Sequence, residues 1–177
     1  MRDLKVLILG DTHILSPHDL PSRIVEEVKQ SDWLIHAGDY ISERVLDFLL
    51  NLKGNKFIGV FGNADPLSIR KKLPKKTTFE LNGYIFGLIH PSYGGPEENI
   101  LNEVLKDFVV NKIDVLIFGH THNPKIKKKE GILILNPGKG YFEKSFFGAP
   151  TSYIMLSINQ KREIEVDLKY ITKDKSL

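Results

Sequence analysis

Short apolar runs, each closed by glycine or a polar residue, divide this chain into a regular series of elements. Residues 4–9 (LKVLIL) are short, apolar and partly β-branched, which predicts a buried strand. Residues 21–30 place Ile24, Val25 and Val28 on one helical face, and residues 32–37 (DWLIHA) read as a second strand. Ser42 stands where a helix cap would be, ahead of an inner face of Val45, Leu46, Leu49 and Leu50. Residues 56–61 (KFIGVF) close a β-α-β-α-β series, which implies parallel strands joined by right-handed crossovers. The pattern then changes. Two strand-like runs in TTFELNGYIFGLIH meet at Asn82-Gly83, a pair suited to a type I′ turn because both central residues need positive φ. A helix is expected from Pro96 to Val110, with Ile100, Leu101, Val104, Leu105 and Phe108 inward. DVLIFG, the lysine-rich run around residues 125–129, ILIL at 132–135 and TSYIMLSI read as further strands. In the last, REIEVDLKYI, Ile164, Val166, Leu168 and Tyr170 alternate with charged residues, as in a strand with one wet face. About ten strands and three principal helices in 177 residues predict an α/β fold of two packed mixed β-sheets flanked by helices.

The residues that follow these runs carry the chemistry. VLILG leads into Asp11-Thr12-His13, WLIHAG into Asp39, FIGVFG into Asn63, YIFGLI into His90, and VLIFG into His120-Thr121-His122. Sites in α/β sheets form at the carboxyl ends of strands, so these residues should converge on one rim. In four of the five cases a glycine stands immediately before, which permits a sharp turn and a close backbone approach. Singly, each residue has an ordinary explanation. Asp11 and Asp39 could cap helices, Asn63 could be a turn residue, and His90 could be a satisfied polar group. His36, inside its strand, reads as a core residue or as one that orients a ligand carboxylate. Together, two aspartates, one asparagine and four histidines exceed what one ion needs. They suit two divalent ions sharing a carboxylate, a device for phosphoester hydrolysis in which a bridging hydroxide attacks phosphorus.

Composition narrows the alternatives. With no cysteine there is no disulfide and no thiolate ligand, so a metal must use His, Asp, Asn, Glu or water. The absence of cysteine fits a cytoplasmic protein, and neither a membrane span nor a secretory signal is read. A net charge of +3 permits an anionic substrate without indicating nucleic acid. Lys125, Lys127, Lys128 and Lys129 read as a solvated edge strand guarded against sheet-to-sheet pairing. The whole chain, 1–177, is expected to be one domain, with residues 170–177 a frayed tail.

Asp11-x-His13, Gly38-Asp39, Gly62-Asn63, His90 and Gly119-His120-x-His122 resemble, in order and spacing, the five blocks of the calcineurin-like metallophosphoesterases. The GNAD form of the third block and the later Asn136-Pro137-Gly138 resemble the small stand-alone phosphodiesterases of bacteria and archaea. The resemblance implies an αββα sandwich and a ligand set. Asp11, His13 and His122 would hold one metal, Asn63, His90 and His120 the other, and Asp39 would bridge. Asp39, Asn63 and His90 are the expected catalytic residues. Two divalent ions are implied, manganese foremost, with nickel, cobalt, zinc, iron or magnesium as alternatives, and a small phosphodiester as substrate.

Two departures matter. Many members have a histidine after the block-three asparagine that contacts phosphate and helps the leaving group depart; here it is Ala64. The fourth block reads His90-Pro91-Ser92 where a second histidine is usual. Without an assigned acid, diesters with good aryl leaving groups should be cleaved faster than alkyl ones. His18, in the loop after the first block, and Lys139, near the expected rim, are candidate substrate contacts. The alternative reading is a protein-binding scaffold of this fold with weak or no catalysis, as in a subunit of the retromer coat. A homo-oligomer stays open. No dinucleotide or P-loop pattern occurs.

Overall fold

The computed structural model describes residues 3–142 and 149–172, within which the ten expected strands form two five-stranded mixed sheets. In chain order the elements are β1 (Leu4–Leu9), α1 (Ser22–Gln30), β2 (Trp33–His36), α2 (Glu43–Lys53), β3 (Phe57–Gly59), α3 (Leu67–Lys72), β4 (Lys76–Leu81) and β5 (Tyr84–Ile89). They continue with α4 (Glu97–Lys106), β6 (Val115–Phe118), β7 (Lys125–Lys129), β8 (Ile132–Asn136), β9 (Thr151–Ile158) and β10 (Ile164–Ile171).

One sheet has the order β10-β9-β1-β2-β3 and the other β4-β5-β6-β8-β7. The two share a plan. Each has three parallel strands, β1-β2-β3 in one and β5-β6-β8 in the other, with antiparallel strands added outside.

Side-chain alternation explains the layering. On β1, Val6 and Ile8 face the core between the sheets, while Leu7 and Leu9 pack outward with Ile24 and Val28 of α1 and Leu46 and Leu49 of α2. On β6, Val115 and Ile117 join the inner core, while Leu116 and Phe118 meet Leu101 and Val104 of α4. Central strands covered on both faces must be apolar throughout, which is why they read as unbroken hydrophobic runs. Truncating such a side chain to alanine costs about 2–5 kcal/mol. At the hairpin between β4 and β5, Asn82 and Gly83 take φ of 53° and 82°, both positive as a type I′ turn requires.

Several expectations are corrected. Ser42 occupies the cap position of α2, but its hydroxyl donates to the Leu15 carbonyl and not to the helix. The helix expected to reach Val110 ends at Lys106, leaving Val109 and Val110 exposed in a short 3-10 turn. A fourth helix, α3, fits between Pro66 and Pro74 with only Ile69 buried, too short to show a period. The lysines of β7 are not simply solvated. Lys125 pairs with Glu97 at 2.7 Å, and Lys127 and Lys129 reach Glu98 at 3.5 and 3.6 Å, so the edge strand is fastened to the first turn of α4. Tyr170 is 57% exposed, while Ile171, on the opposite face of β10, packs on the helix side of the sheet. Tyr170 and Ile171, expected in a frayed tail, instead pair with Ser152 and Thr151; residues 173–177 lie outside the described residues.

Candidate metal centre

The six parallel strands all deliver polar residues at their carboxyl ends. β1 ends in Asp11 and His13, β2 in Asp39, β3 in Asn63, β5 in His90, β6 in His120 and His122, and β8 in Asn136. The first five ends bring their seven residues together. His122 Nε2 lies 3.2 Å from Asp11 Oδ1 and 3.2 Å from His13 Nε2. Asn63 Oδ1 lies 3.0 Å from His90 Nε2 and 2.8 Å from His120 Nδ1. Asp39 Oδ2 stands between the two groups, 3.3 Å from His13 Nε2 and 3.4 Å from His90 Nε2. Ligand-type atoms of Asp11, His13 and His122 lie within 4.8 Å of one another, and so do those of Asp11, Asp39 and His90. Asp11 therefore faces both groups at the floor. The carboxylates of Asp11 and Asp39 and the ring of His90 are buried, His13, His120 and His122 are half-buried, and Asn63 is exposed.

The backbone is strained to achieve this. Asp11, His13, Asp39, His120 and His122 take φ of 47°, 41°, 59°, 80° and 55°, in the left-handed region that side chains avoid. At about 1–3 kcal/mol per residue, such strain persists only where surrounding structure over-determines it, and it gathers at functional sites. Two glycines show how tight the approach is. A Cβ on Gly62 would meet Asp39 Oδ1 at 2.0 Å, and one on Gly38, itself at φ 98°, would meet the His90 ring at 2.6 Å. The polar residue thus needs glycine in front of it because another ligand's side chain occupies that space.

Hydrogen bonds fix the orientations. Asp11 accepts the His120 backbone N–H at 3.0 Å, and Asp39 Oδ1 accepts the Ala64 N–H at 2.8 Å, so neither carboxylate caps a helix. His90 Nδ1 donates to the Ala37 carbonyl at 2.7 Å, which turns Nε2 toward Asp39 and Asn63. His36 Nδ1 accepts from the Gly38 N–H, so its Nε2 donates to the Thr12 hydroxyl, which in turn donates to the Asp39 carbonyl. The expectation that His36 bonds a ligand carboxylate is corrected: it supports the Asp39 main chain through Thr12. Burial holds its imidazole down at about 3, and it stacks on Tyr40.

Burial raises the Asp39 carboxyl, but its contacts with His13, His90 and Ala64 outweigh this and leave it well below the usual range. Burial likewise draws His13 down, and Asp11 and Asp39 overcome it to place the ring at about 9. His120, desolvated and facing His90, is lowered. A set of acceptors pointed at one another is satisfied by shared protons or by divalent cations. His, Asp and Asn donors in this mixture suit cations of intermediate hardness.

Residues given no site role in the sequence pattern hold this arrangement. The buried Asp65 carboxylate accepts the backbone N–H groups of Asp39, Ile41 and Gly62 at 3.0, 2.8 and 2.7 Å, tying the block-three loop to the Asp39 loop. Arg70 clasps the Asn63 and Asp65 carbonyls, both at 2.7 Å. Asn136 donates to Thr121 at 2.9 Å, bracing the His120–His122 turn. Tyr141 sets its ring edge-on to His13 and His122, 5.6 and 6.3 Å between centroids. Asp65 directly after Asn63-Ala64 was the one available signal among these, as an Asx-type turn residue.

Of the two expected substrate contacts, His18 lies on an exposed 3-10 turn, where its backbone N–H donates to Ser16. Lys139 is only 2% exposed, its Nζ 5.1 Å from the centroid of the Tyr141 ring, and so does not stand on an open rim.

Comparison with known proteins agrees with this geometry. Residues 4–161 match the model of the calcineurin-like phosphoesterase superfamily domain. A "probable metallophosphoesterase" of Methanocaldococcus jannaschii is 34% identical over 161 residues, covering 90% of this chain and 78% of the relative. A phosphodiesterase of the same organism is 26% identical, covering 86% and 92%. Vacuolar protein sorting 29 of Cryptosporidium parvum superposes with a TM-score of 0.70 at 21% identity over 98% of this chain and 100% of that one, a likeness of fold alone. On the family match over most of its length, the chain belongs to the calcineurin-like phosphoesterase superfamily.

Proposed function

We propose that the protein is a divalent-metal-dependent phosphodiesterase with a dinuclear centre. Asp11, His13 and His122 would hold one ion, Asn63, His90 and His120 the other, and Asp39 would join them; manganese is the first candidate. The observation that carries the reading is the position of Asp39 Oδ2, within 3.4 Å of a histidine from each group. Ions held by these residues would supply Lewis acidity to the phosphate and would lower the pKa of a water to give the nucleophile.

The chain's own residues set the rest. The Ala64 N–H orients Asp39, and the Ala37 carbonyl fixes the tautomer of His90. At the position where the resemblance to the superfamily leads one to expect a proton-donating histidine, Ala64 offers only a backbone N–H, already given to Asp39. Leaving groups must therefore depart with little proton assistance, which favours aryl over alkyl diesters. The relative named a phosphodiesterase supports diesters as the substrate class.

The test is to strip the protein with chelator and assay bis(p-nitrophenyl) phosphate and p-nitrophenyl phosphate with manganese, nickel, cobalt, zinc and magnesium. Metal-restored turnover with a diester preference is expected. A monoester preference would overturn the diesterase assignment. No turnover and no bound metal would leave a scaffold of the same fold.

A further inference from the structure

A cavity of about 370 Å³ opens beside His120. Its walls come from the loop before α4, with Gly94, Gly95 and Glu97, and from the turn after β6, with His120, Thr121 and Asn123. It thus adjoins the Asn63–His90–His120 group directly. The two walls are clipped together: Asn123 Nδ2 donates to Glu97 Oε2 at 2.9 Å, and Lys125 pairs with Glu97 Oε1 at 2.7 Å. Glu97 Oε1 is buried, so Oε2 is the carboxylate oxygen with a further lone pair to offer the cavity. Asn123 adds a side-chain carbonyl. Thr121 accepts from Asn136 at 2.9 Å, which leaves its own proton to donate. Side chains on Gly94 and Gly95 would meet nothing within 4 Å, so the cavity is open above them.

We propose that this cavity, between Glu97 and Asn123 beside His120, is the subsite for one substituent of the phosphate ester, and that it selects a substituent bearing hydroxyl groups. Besides Ile100, the lining offers the acceptors Glu97 Oε2 and the Asn123 carbonyl and the Thr121 hydroxyl, a set that pairs with O–H groups on a ligand, which both donate and accept. Its one carboxylate is paired with Lys125, and no lysine or arginine lines the cavity to receive a second phosphate or a carboxylate on the substituent. A purely apolar substituent would bury the carboxylate without replacing the water it loses, an unfavourable exchange. The inference builds on the diesterase reading, since it places the phosphate at the neighbouring ligand cluster.

Calorimetry on the manganese-loaded protein tests it, with glycerol 3-phosphate and n-propyl phosphate as probes differing only in two hydroxyl groups. Glycerol 3-phosphate should bind about tenfold more tightly, the effect of about one good hydrogen bond to a charged group. Glu97→Gln and Asn123→Ala should each cut that preference to about twofold or less, while manganese binding to the same variants shows that the neighbouring ligand cluster is still folded. Equal affinities in the native protein, or a preference that survives both substitutions, would overturn the subsite. Turnover of methyl p-nitrophenyl phosphate is measured on the same sample. Its absence would count against the diesterase reading, while the binding ratio still decides the subsite.

Discussion

The two halves of the ligand cluster are built alike and charged differently. The half formed by Asp11, His13 and His122 contains a fully buried carboxylate, and there His13 is pushed up to about 9. The half formed by Asn63, His90 and His120 brings no carboxylate of its own; burial draws His90 down but Asp39 and Asp11 overcome it and raise the ring, while desolvation lowers His120. Asp39 is shared. Equal numbers of donors thus need not give equal grip: beyond the shared Asp39, a divalent ion gains a second carboxylate on one side and none on the other. The first half should hold its metal more tightly, and the second, bordered by the open cavity and the exposed Asn63, should exchange more freely.

The largest effect is expected at the shared carboxylate. Asp39→Asn keeps the shape and the Ala64 contact but removes the charge common to both halves. Activity on bis(p-nitrophenyl) phosphate should fall by about 10²–10³-fold, corresponding to several kcal/mol of lost transition-state stabilisation. Full activity in this variant would erase the distinction between a shared and an accessory ligand.

A smaller effect, opposite in sign, is expected next to Asn63. Ala64→His would place a proton donor on the weaker half, where the side chain is exposed. Cleavage of an alkyl diester should rise by about 10–100-fold, within the range of general-acid assistance, with aryl diesters little changed. An equal change for both substrates would show that leaving-group protonation is not what this half lacks.

The smallest lies beneath Asp39. His36 is held near 3 by burial, below its ordinary 6.5. The unfolded chain binds its proton below 6.5 and the folded chain does not until about 3, so stability present above pH 6.5 is lost as the pH falls toward 3. The loss should approach about 1.4 kcal/mol per pH unit for this one proton. Urea unfolding between pH 6.5 and 4 should therefore be shallower in pH for His36→Gln than for the native chain. Parallel slopes would remove His36 from the support of Asp39.

These contrasts also show what a linear reading reaches. Asp11, His13, Asp39, Asn63, His90, His120 and His122 were legible because each follows an apolar run, and parallel strands carry such positions to one rim. The lysines of β7 were legible as an edge but not as partners of α4, since pairing across sheet and helix leaves no local pattern. Asp65 and Arg70 escaped notice for the same reason: their work is done on main-chain groups, which every residue carries. Tyr141 follows a Gly-Lys-Gly segment with no periodicity, and only the folded chain sets it against His13. The left-handed backbone at Asp11, Asp39 and His120 was foreshadowed by the glycines before them, though glycine marks the crowding and not the strain itself, and that at His13 and His122, which follow threonines, was not.

The most direct test of a carboxylate-bridged pair of unequal sites is an equilibrium manganese titration, read by calorimetry and by the electron paramagnetic resonance of the bound ions. Two equivalents are predicted, the first tighter, with a spin-coupled signal at full loading. Asp11→Asn should weaken the tight step, Asn63→Ala the weak one, and Asp39→Asn should abolish the coupling. A single equivalent, or two that load identically and show no coupling, would contradict the account.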